Sequence, residues 1–98
     1  MFTNMKNSEE YVEDDVSYEN DYATFGDRLA AARDIIGYTQ GQLAKRLGVK
    51  KATIANWEDD RSEPRANRLQ MLSGMLNVSL VWLMTGEGDG PGGDAGDV

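Results

Sequence analysis

Two short segments of this sequence have the apolar spacing of helices, and only a few residues separate them. The stretch QLAKRLGVKKATIANWE, residues 42–58, contains one pattern that stops at Gly48 and a second that begins at about Lys51. Glycine readily adopts the positive φ with which many helices end, and Val49 is placed to fill the space between the two helices. The stretch therefore predicts a tight corner of two helices, with the Lys50–Lys51 pair on its rim.

The apolar residues between positions 24 and 86 recur at helical spacing, which predicts five helices and no strand. Hydroxyl residues that can cap a helix N-terminus precede three of them, and glycines that can end a helix follow three. These are Thr24, Thr39 and Ser79 at the starts, and Gly37, Gly48 and Gly86 at the ends. The predicted fold class is all-α, a compact five-helix domain over residues 24–86.

Composition argues against several classes of function. The chain has 98 residues, with no cysteine and no histidine, which removes thiolate metal sites, disulfides and the commonest general base. No apolar run approaches the ~18 residues that a membrane-spanning helix needs, and the N-terminus lacks the layout of a signal peptide. We therefore expect a cytoplasmic protein that is not an enzyme and that needs no metal or cofactor.

Charge is unevenly distributed along the chain, whose net charge is −7. Residues 1–23 hold seven acids and one lysine, whereas residues 24–86 hold nine basic and six acidic residues. Residues 87–98 hold four acids among glycines. This pattern predicts a flexible acidic N-terminal arm at 1–23, a mildly basic domain at 24–86 and a disordered Gly/Asp-rich tail at 87–98.

Several motifs occur together in one order. They are Arg-x-x-x-Gly-x-Thr-Gln at 33–40, Leu-Ala-x-x-Leu-Gly-Val at 43–49, Ile-x-x-Trp-Glu at 54–58 and Val-Ser-x-x-Trp-Leu at 78–83. In this order they resemble the Xre/Cro-type, lambda-repressor-like helix-turn-helix DNA-binding domains, over about residues 24–88. The resemblance implies a sequence-specific transcriptional regulator of prokaryotic or phage origin that acts at the nucleoid. It further implies a repressor that binds a pseudo-palindromic operator in double-stranded DNA as a homodimer.

The resemblance also assigns DNA contacts. Lysine can donate to guanine, asparagine can pair with the adenine edge, and small methyl-bearing side chains can touch the thymine methyl group. The implied base contacts, on the second helix of the corner, are Lys50, Lys51, Ala52, Thr53 and Asn56. The implied phosphate contacts are Gln40 and Arg61.

Two further sets of residues follow from the same resemblance. Arg33 and Glu58 are expected to form a buried ion pair that ties the first helix to the third. The fifth helix is expected to supply the dimer interface, through Leu80, Trp82, Leu83 and Met84.

The sequence also departs from the family pattern. Lys50 stands where relatives usually carry a serine cap, and Asp59–Asp60 place two acids beside the expected phosphate path, which should lower affinity. The alternative to a DNA-binding regulator is a protein-interaction module, such as an antitoxin or adaptor, whose acidic arm makes the main contact. Three roles for that arm stay open: competition with phosphate for the basic surface, solubility, and docking on the partner subunit of the dimer as an ordered extension.

Overall fold

Five α-helices follow one another along the computed structural model, which describes residues 24–88 and 90–91. Within these residues there is no strand, and the predicted all-α, five-helix fold is confirmed. The predicted acidic arm and most of the predicted tail lie outside the described residues. The helices are α1 (Phe25–Ile36), α2 (Gln40–Leu47), α3 (Lys51–Glu58), α4 (Ala66–Leu76) and α5 (Leu80–Thr85).

The helix ends follow the capping residues that the sequence indicates. Thr24 accepts a hydrogen bond from the Asp27 N–H at 3.0 Å, and Ser79 accepts one from the Trp82 N–H at 2.9 Å. Thr39 and Gln42 form a reciprocal capping box, in which the side chain of each accepts from the backbone N–H of the other. Side-chain acceptors of this kind satisfy N–H groups that have no partner within the helix.

Four of the five described helices end on a left-handed residue. Gly37, Gly48 and Gly86 have φ values of 96°, 83° and 85°, and Asn77 ends α4 with φ 58°. Asparagine tolerates this conformation better than most residues with a side chain. The short connections that result bring the five helices together around one core.

Each helix contributes one fully buried aliphatic side chain to that core. They are Leu29, Leu43, Ile54, Leu72 and Leu83, in helix order. Burying one such side chain stabilises the fold by roughly 1.5–3 kcal/mol. Since α2 and α3 have only eight residues each, too few for a stable isolated helix, their conformation depends on this shared core.

Two arginines hold helix C-termini in place, and sequence reasoning assigned neither of them this role. Arg28 is buried, and its Nε and Nη2 donate to the carbonyls of Leu83 at 2.9 Å and Met84 at 3.0 Å. Arg68 donates from Nη1 to the Leu47 carbonyl at 2.9 Å. The last carbonyls of a helix lack partners and carry the negative end of its dipole, so a guanidinium there stabilises the helix end.

The start of α1 lies directly against the end of α3. The Gly26 N–H donates to Asp60 Oδ1 at 2.9 Å, and a Cβ at position 26 would fall only 2.2 Å from the Glu58 carbonyl oxygen. Asp60 adopts φ 61° to reach this position. The N-terminus of α1 is therefore fixed at the carboxyl end of α3.

The described part of the predicted tail contacts the domain. A Cβ at Gly90 would lie 2.8 Å from the Trp82 ring, so the Gly90 backbone lies on the indole. Pro91 helps line a shallow groove together with Ile36 and Leu76. The chain after α5 thus runs towards the carboxyl end of α1, the end opposite Gly26.

Candidate nucleic-acid interface

The corner between α2 and α3 is closed by backbone hydrogen bonds. The N–H groups of Gly48 and Val49 both donate to the Ala44 carbonyl, at 2.8 and 3.0 Å. Only residues 48–50 separate the two helices. Val49 is partly buried and packs against the core, so the connection holds α3 at a fixed angle to α2.

One face of α3 points inward and the opposite face is exposed. Ile54 and Trp57 are buried in the core. All five predicted base-contact residues reach the surface: Lys50, Lys51, Ala52 and Asn56 are exposed, and Thr53 is partly exposed. The structure therefore places the whole set on the outer side of one helix, with the small residues between the lysines and the amide.

Lys51 also lies near the N-terminus of α2. A Cβ at Gly41 would be 4.0 Å from Lys51 Cδ, so the aliphatic stem of this lysine passes over the first turn of α2. The first-turn N–H groups of a helix have no carbonyl partner within it and favour anions. The predicted phosphate-contact residue Gln40 belongs to the same turn, so base and phosphate candidates adjoin here.

A hydrogen-bond network beneath this surface joins α1, α2 and α3. Arg33 binds both carboxylate oxygens of Glu58, with Nε–Oε2 2.6 Å and Nη2–Oε1 3.2 Å, and its Nη1 donates to the Tyr38 carbonyl at 2.8 Å. The Arg33 and Glu58 side chains are only 16% and 7% exposed. The hydrogen bond with Glu58 raises the pKa of Arg33 above its ordinary value. The predicted ion pair is thus present and largely buried.

Gln40 belongs to the same network, which the sequence did not indicate. Its Nε2 donates to Glu58 Oε1 at 2.9 Å. An amide nitrogen has two N–H donors, so one can bind Glu58 while the other remains for a phosphate. Glu58 therefore orients a predicted phosphate-contact side chain on α2 from the last turn of α3.

The loop after α3 carries charges of both signs. Arg61 is exposed, and its backbone N–H donates to the Asn56 carbonyl at 2.9 Å. Asp59 is exposed beside it, but the Asp60 carboxylate accepts from Gly26 at the N-terminus of α1. Of the two acids expected to oppose phosphate, Asp60 thus binds the start of α1, whereas the Asp59 side chain makes no hydrogen bond with the described residues. Three exposed cations lie at the two ends of α3, and we name them the basic edge. They are Lys50, Lys51 and Arg61.

The predicted dimer surface needs a correction. Leu83 has no exposed area and Trp82 is 5% exposed, because both pack into the core of the single chain. A side chain without accessible surface cannot form the contact surface of an interface, so the assignment of Leu83 was wrong, and Trp82 offers too little area to be a main contact. Met84 is 52% exposed, Leu80 is partly exposed, and Val81, which the sequence did not single out, is 60% exposed.

Residues 24–88 and 90–91 offer little for other kinds of site. In this part of the chain, no three acidic, histidine or cysteine side chains cluster as a metal site would require. None of the helices described there has the length and apolarity needed to cross a bilayer. The corner is the site that the geometry supports best.

Comparison with known proteins gives consistent matches to this part of the chain. The helix-turn-helix family profile matches residues 29–83. The HTH-type transcriptional regulator DicA of Escherichia coli K12 is 35% identical over 66 residues, which are 67% of this chain and 49% of DicA. Repressor protein C2 of Salmonella phage P22 is 34% identical over 62 residues, which are 63% of this chain and 29% of that repressor.

A solved structure agrees with these relatives. The crystal structure of the P22 c2 repressor in complex with synthetic operator 9T, in the presence of Tl⁺, superimposes with a TM-score of 0.63 at 33% identity. The superposition covers 65% of this chain and 97% of the repressor chain in that crystal structure. The chain spans about half the length of DicA and less of the phage repressor. Because the profile covers more than half of its residues, and its fold and motifs agree, the chain belongs to the helix-turn-helix family, of the Xre/Cro type.

Proposed function

We propose that the chain is a sequence-specific double-stranded DNA-binding transcriptional regulator that acts as a repressor and binds a pseudo-palindromic operator as a homodimer. The observation that carries the proposal is the outer face of α3. The base-contact candidates are exposed there, on a helix that is held in place by hydrogen bonds to α1 and α2. Glu58 accepts these hydrogen bonds. The relatives named as repressors and regulators support the same function.

In this mechanism α2 and the loop after α3 bind phosphates, whereas α3 contacts bases. Gln40, Arg61 and the first turn of α2 bind phosphates, which supplies affinity and sets the register without reading sequence. Lys51 and Asn56 donate to base edges in the major groove, and Ala52 and Thr53 contact methyl groups there. Lys50 adds charge at the start of the helix.

The homodimer follows from the small area of one corner and from an apolar surface on α5. A two-fold dimer places two recognition helices about 34 Å apart, one turn of B-DNA, on a pseudo-palindrome. Val81 and Met84 are large, apolar and more than half exposed. They are the contact residues that we propose, with Leu80 at the margin.

The decisive experiment selects a binding motif from genomic or random DNA with the purified full chain, and then repeats the selection with variants. Asn56→Ala should cost about 1–3 kcal/mol at one base position and relax preference there. Arg61→Ala should weaken all sequences alike and lower the slope of log K against log salt by about 0.9, the value for one phosphate contact.

Gln70→Ala is the matched control, because Gln70 is an exposed amide on α4, outside the corner. It should leave the motif and the affinity unchanged. An unaltered motif with Asn56→Ala would refute the base-reading assignment. Failure to enrich any motif with the unmodified chain would refute the function and favour an interaction module instead.

A further inference from the structure

We propose that the acidic segment at residues 9–21 occupies the basic edge in the DNA-free protein and competes with DNA for it. The proposal deepens the proposed function, since it assigns an intramolecular occupant to the same surface. It rests on where this segment joins the domain and on how charge is distributed along α2 and α3.

The segment joins the domain beside the recognition helix. Residue 24 immediately precedes α1, and the Gly26 N–H is bonded to Asp60, two residues past the end of α3. By contrast, the chain after α5 reaches the other end of α1, where Pro91 lies near Ile36. A helix of twelve residues is about 18 Å long, so residue 24 and Pro91 lie near opposite ends of α1.

The length of the segment matches the distance to be covered. An eight-residue helix such as α3 is about 12 Å long. Asp21 lies three positions before Thr24, a stretch that can span about 10 Å, whereas Asp14 lies ten positions before it, a stretch that can span about 33 Å. Carboxylates along the segment can therefore reach both ends of α3 from a tether that begins beside its carboxyl end.

The charges favour the Lys50–Lys51 end of the basic edge. No acidic residue occurs between Gln40 and Trp57, where four of the cations of the domain lie, Lys45, Arg46, Lys50 and Lys51. Arg61, at the other end, has the exposed Asp59 close by in the chain. Residues 1–23 hold seven acids against one lysine. The segment consequently meets the strongest attraction where α3 begins.

Such competition has a defined thermodynamic form. A short tether gives the segment an effective concentration on the order of millimolar at the basic edge. Because the segment must leave before any DNA binds, operator and non-operator DNA lose affinity by the same factor, and base preference is unchanged. The attraction is ionic and is screened by salt, with a Debye length of about 10 Å at 0.1 M.

The test compares two full-length variants, each lacking four negative charges. The first changes Asp14→Asn, Asp15→Asn, Glu19→Gln and Asp21→Asn. The matched control changes Glu87→Gln, Asp89→Asn, Asp94→Asn and Asp97→Asn. Affinity for labelled operator and non-operator duplexes is measured at about 50 mM and about 300 mM salt, after circular dichroism has shown equal helix content.

The first variant should bind both duplexes roughly threefold to tenfold more tightly at low salt, and less than about twofold more tightly at high salt. The control should change little. Equal gains in the two variants would show that net charge alone matters, and no gain in the first would exclude competition. Either result overturns the proposal.

A DNA-free measurement separates this proposal from the proposed function. Backbone amide shifts of Lys50, Lys51 and Ala52 should differ between the unmodified chain and the first variant, and should converge as salt is raised. The control variant should leave them unchanged. Absence of these differences overturns the proposal even where DNA binding is confirmed, and their presence supports it even where no operator is found.

Discussion

Gly26 is a point of close approach between two helices, where the start of α1 meets the end of α3. A methyl group there would meet the Glu58 carbonyl oxygen at 2.2 Å, and backbone cannot move aside as a side chain would. Gly74, in contrast, lies in α4 with open space where a Cβ would be. The two glycines allow the same substitution to be tested in opposite environments.

Gly26→Ala should destabilise the fold by about 1–3 kcal/mol through overpacking. Gly74→Ala should stabilise it by about 0.5–1 kcal/mol, because alanine loses less conformational freedom in a helix. Urea unfolding of both variants measures the difference. A Gly26→Ala variant as stable as the unmodified protein would show that the contact between α1 and α3 is looser than the structure indicates.

The Arg33–Glu58 pair is the second feature of single residues that can be tested. Arg33→Met leaves the Glu58 carboxylate largely buried without its partner and should lower the free energy of unfolding by about 3–5 kcal/mol. Glu58→Leu leaves the more exposed Arg33 guanidinium unpaired and should cost somewhat less. The double variant should cost much less than the sum of the two. Chemical denaturation of all four proteins gives the coupling, and strictly additive effects would contradict the pairing.

At the scale of single helices, the N-terminus of α3 has no side-chain cap. Lys50 occupies the N-cap position with extended backbone and no capping hydrogen bond. A serine there can accept from the N–H groups of the first turn, which typically adds about 1 kcal/mol. The lysine instead adds positive charge to the surface proposed to contact DNA, so stability and affinity should change in opposite directions.

Lys50→Ser should therefore raise the free energy of unfolding by about 0.5–1 kcal/mol and weaken DNA binding at low salt. Lys50→Ala is the control, since it removes the same charge without supplying a cap. It should lose affinity to the same extent and gain no stability. If both variants bind DNA like the unmodified chain, Lys50 contributes nothing to the interface.

The sequence predicted the helices well because local chemistry determines them. Thr39, Ser79 and the glycines at the helix ends act through neighbouring residues, so their roles can be read from the chain. Arg28 and Asp60 act across 55 and 34 positions, to Leu83 and Gly26, and no local pattern marks such contacts. Leu83 was misplaced, and the exposed area of Trp82 was overestimated, because six residues in α5 are too few to establish which face is buried.

At the scale of the whole molecule, Arg28 on α1 joins this helix to α5. Its hydrogen bonds to the carbonyls of Leu83 and Met84 anchor the helix that carries the proposed dimer surface. Arg28→Met should lower the free energy of unfolding by about 1.5–3 kcal/mol, the range for hydrogen bonds from a charged donor. Denaturant unfolding measures this loss, and an undiminished stability would show that α5 is held by packing alone.

The dimer itself is tested by a change that leaves the core intact. Val81→Glu places a charge on a side chain that is 60% exposed, so stability of the single domain should change by less than about 0.5 kcal/mol. Self-association, measured by sedimentation equilibrium, should weaken markedly because a charge buried in an interface lacks a partner. An unaltered association constant would place the interface elsewhere.

The separation of inner and outer faces on α3 bears on how such a regulator can evolve. Ile54 and Trp57 hold the helix in the core, while Lys51, Ala52 and Asn56 face solvent. Surface substitutions away from structural contacts usually alter stability by less than about 0.5 kcal/mol. Under the proposed function, single mutations at these outer positions can therefore change which operator the protein binds while the fold is retained, and a duplicated copy can acquire new targets while it stays folded.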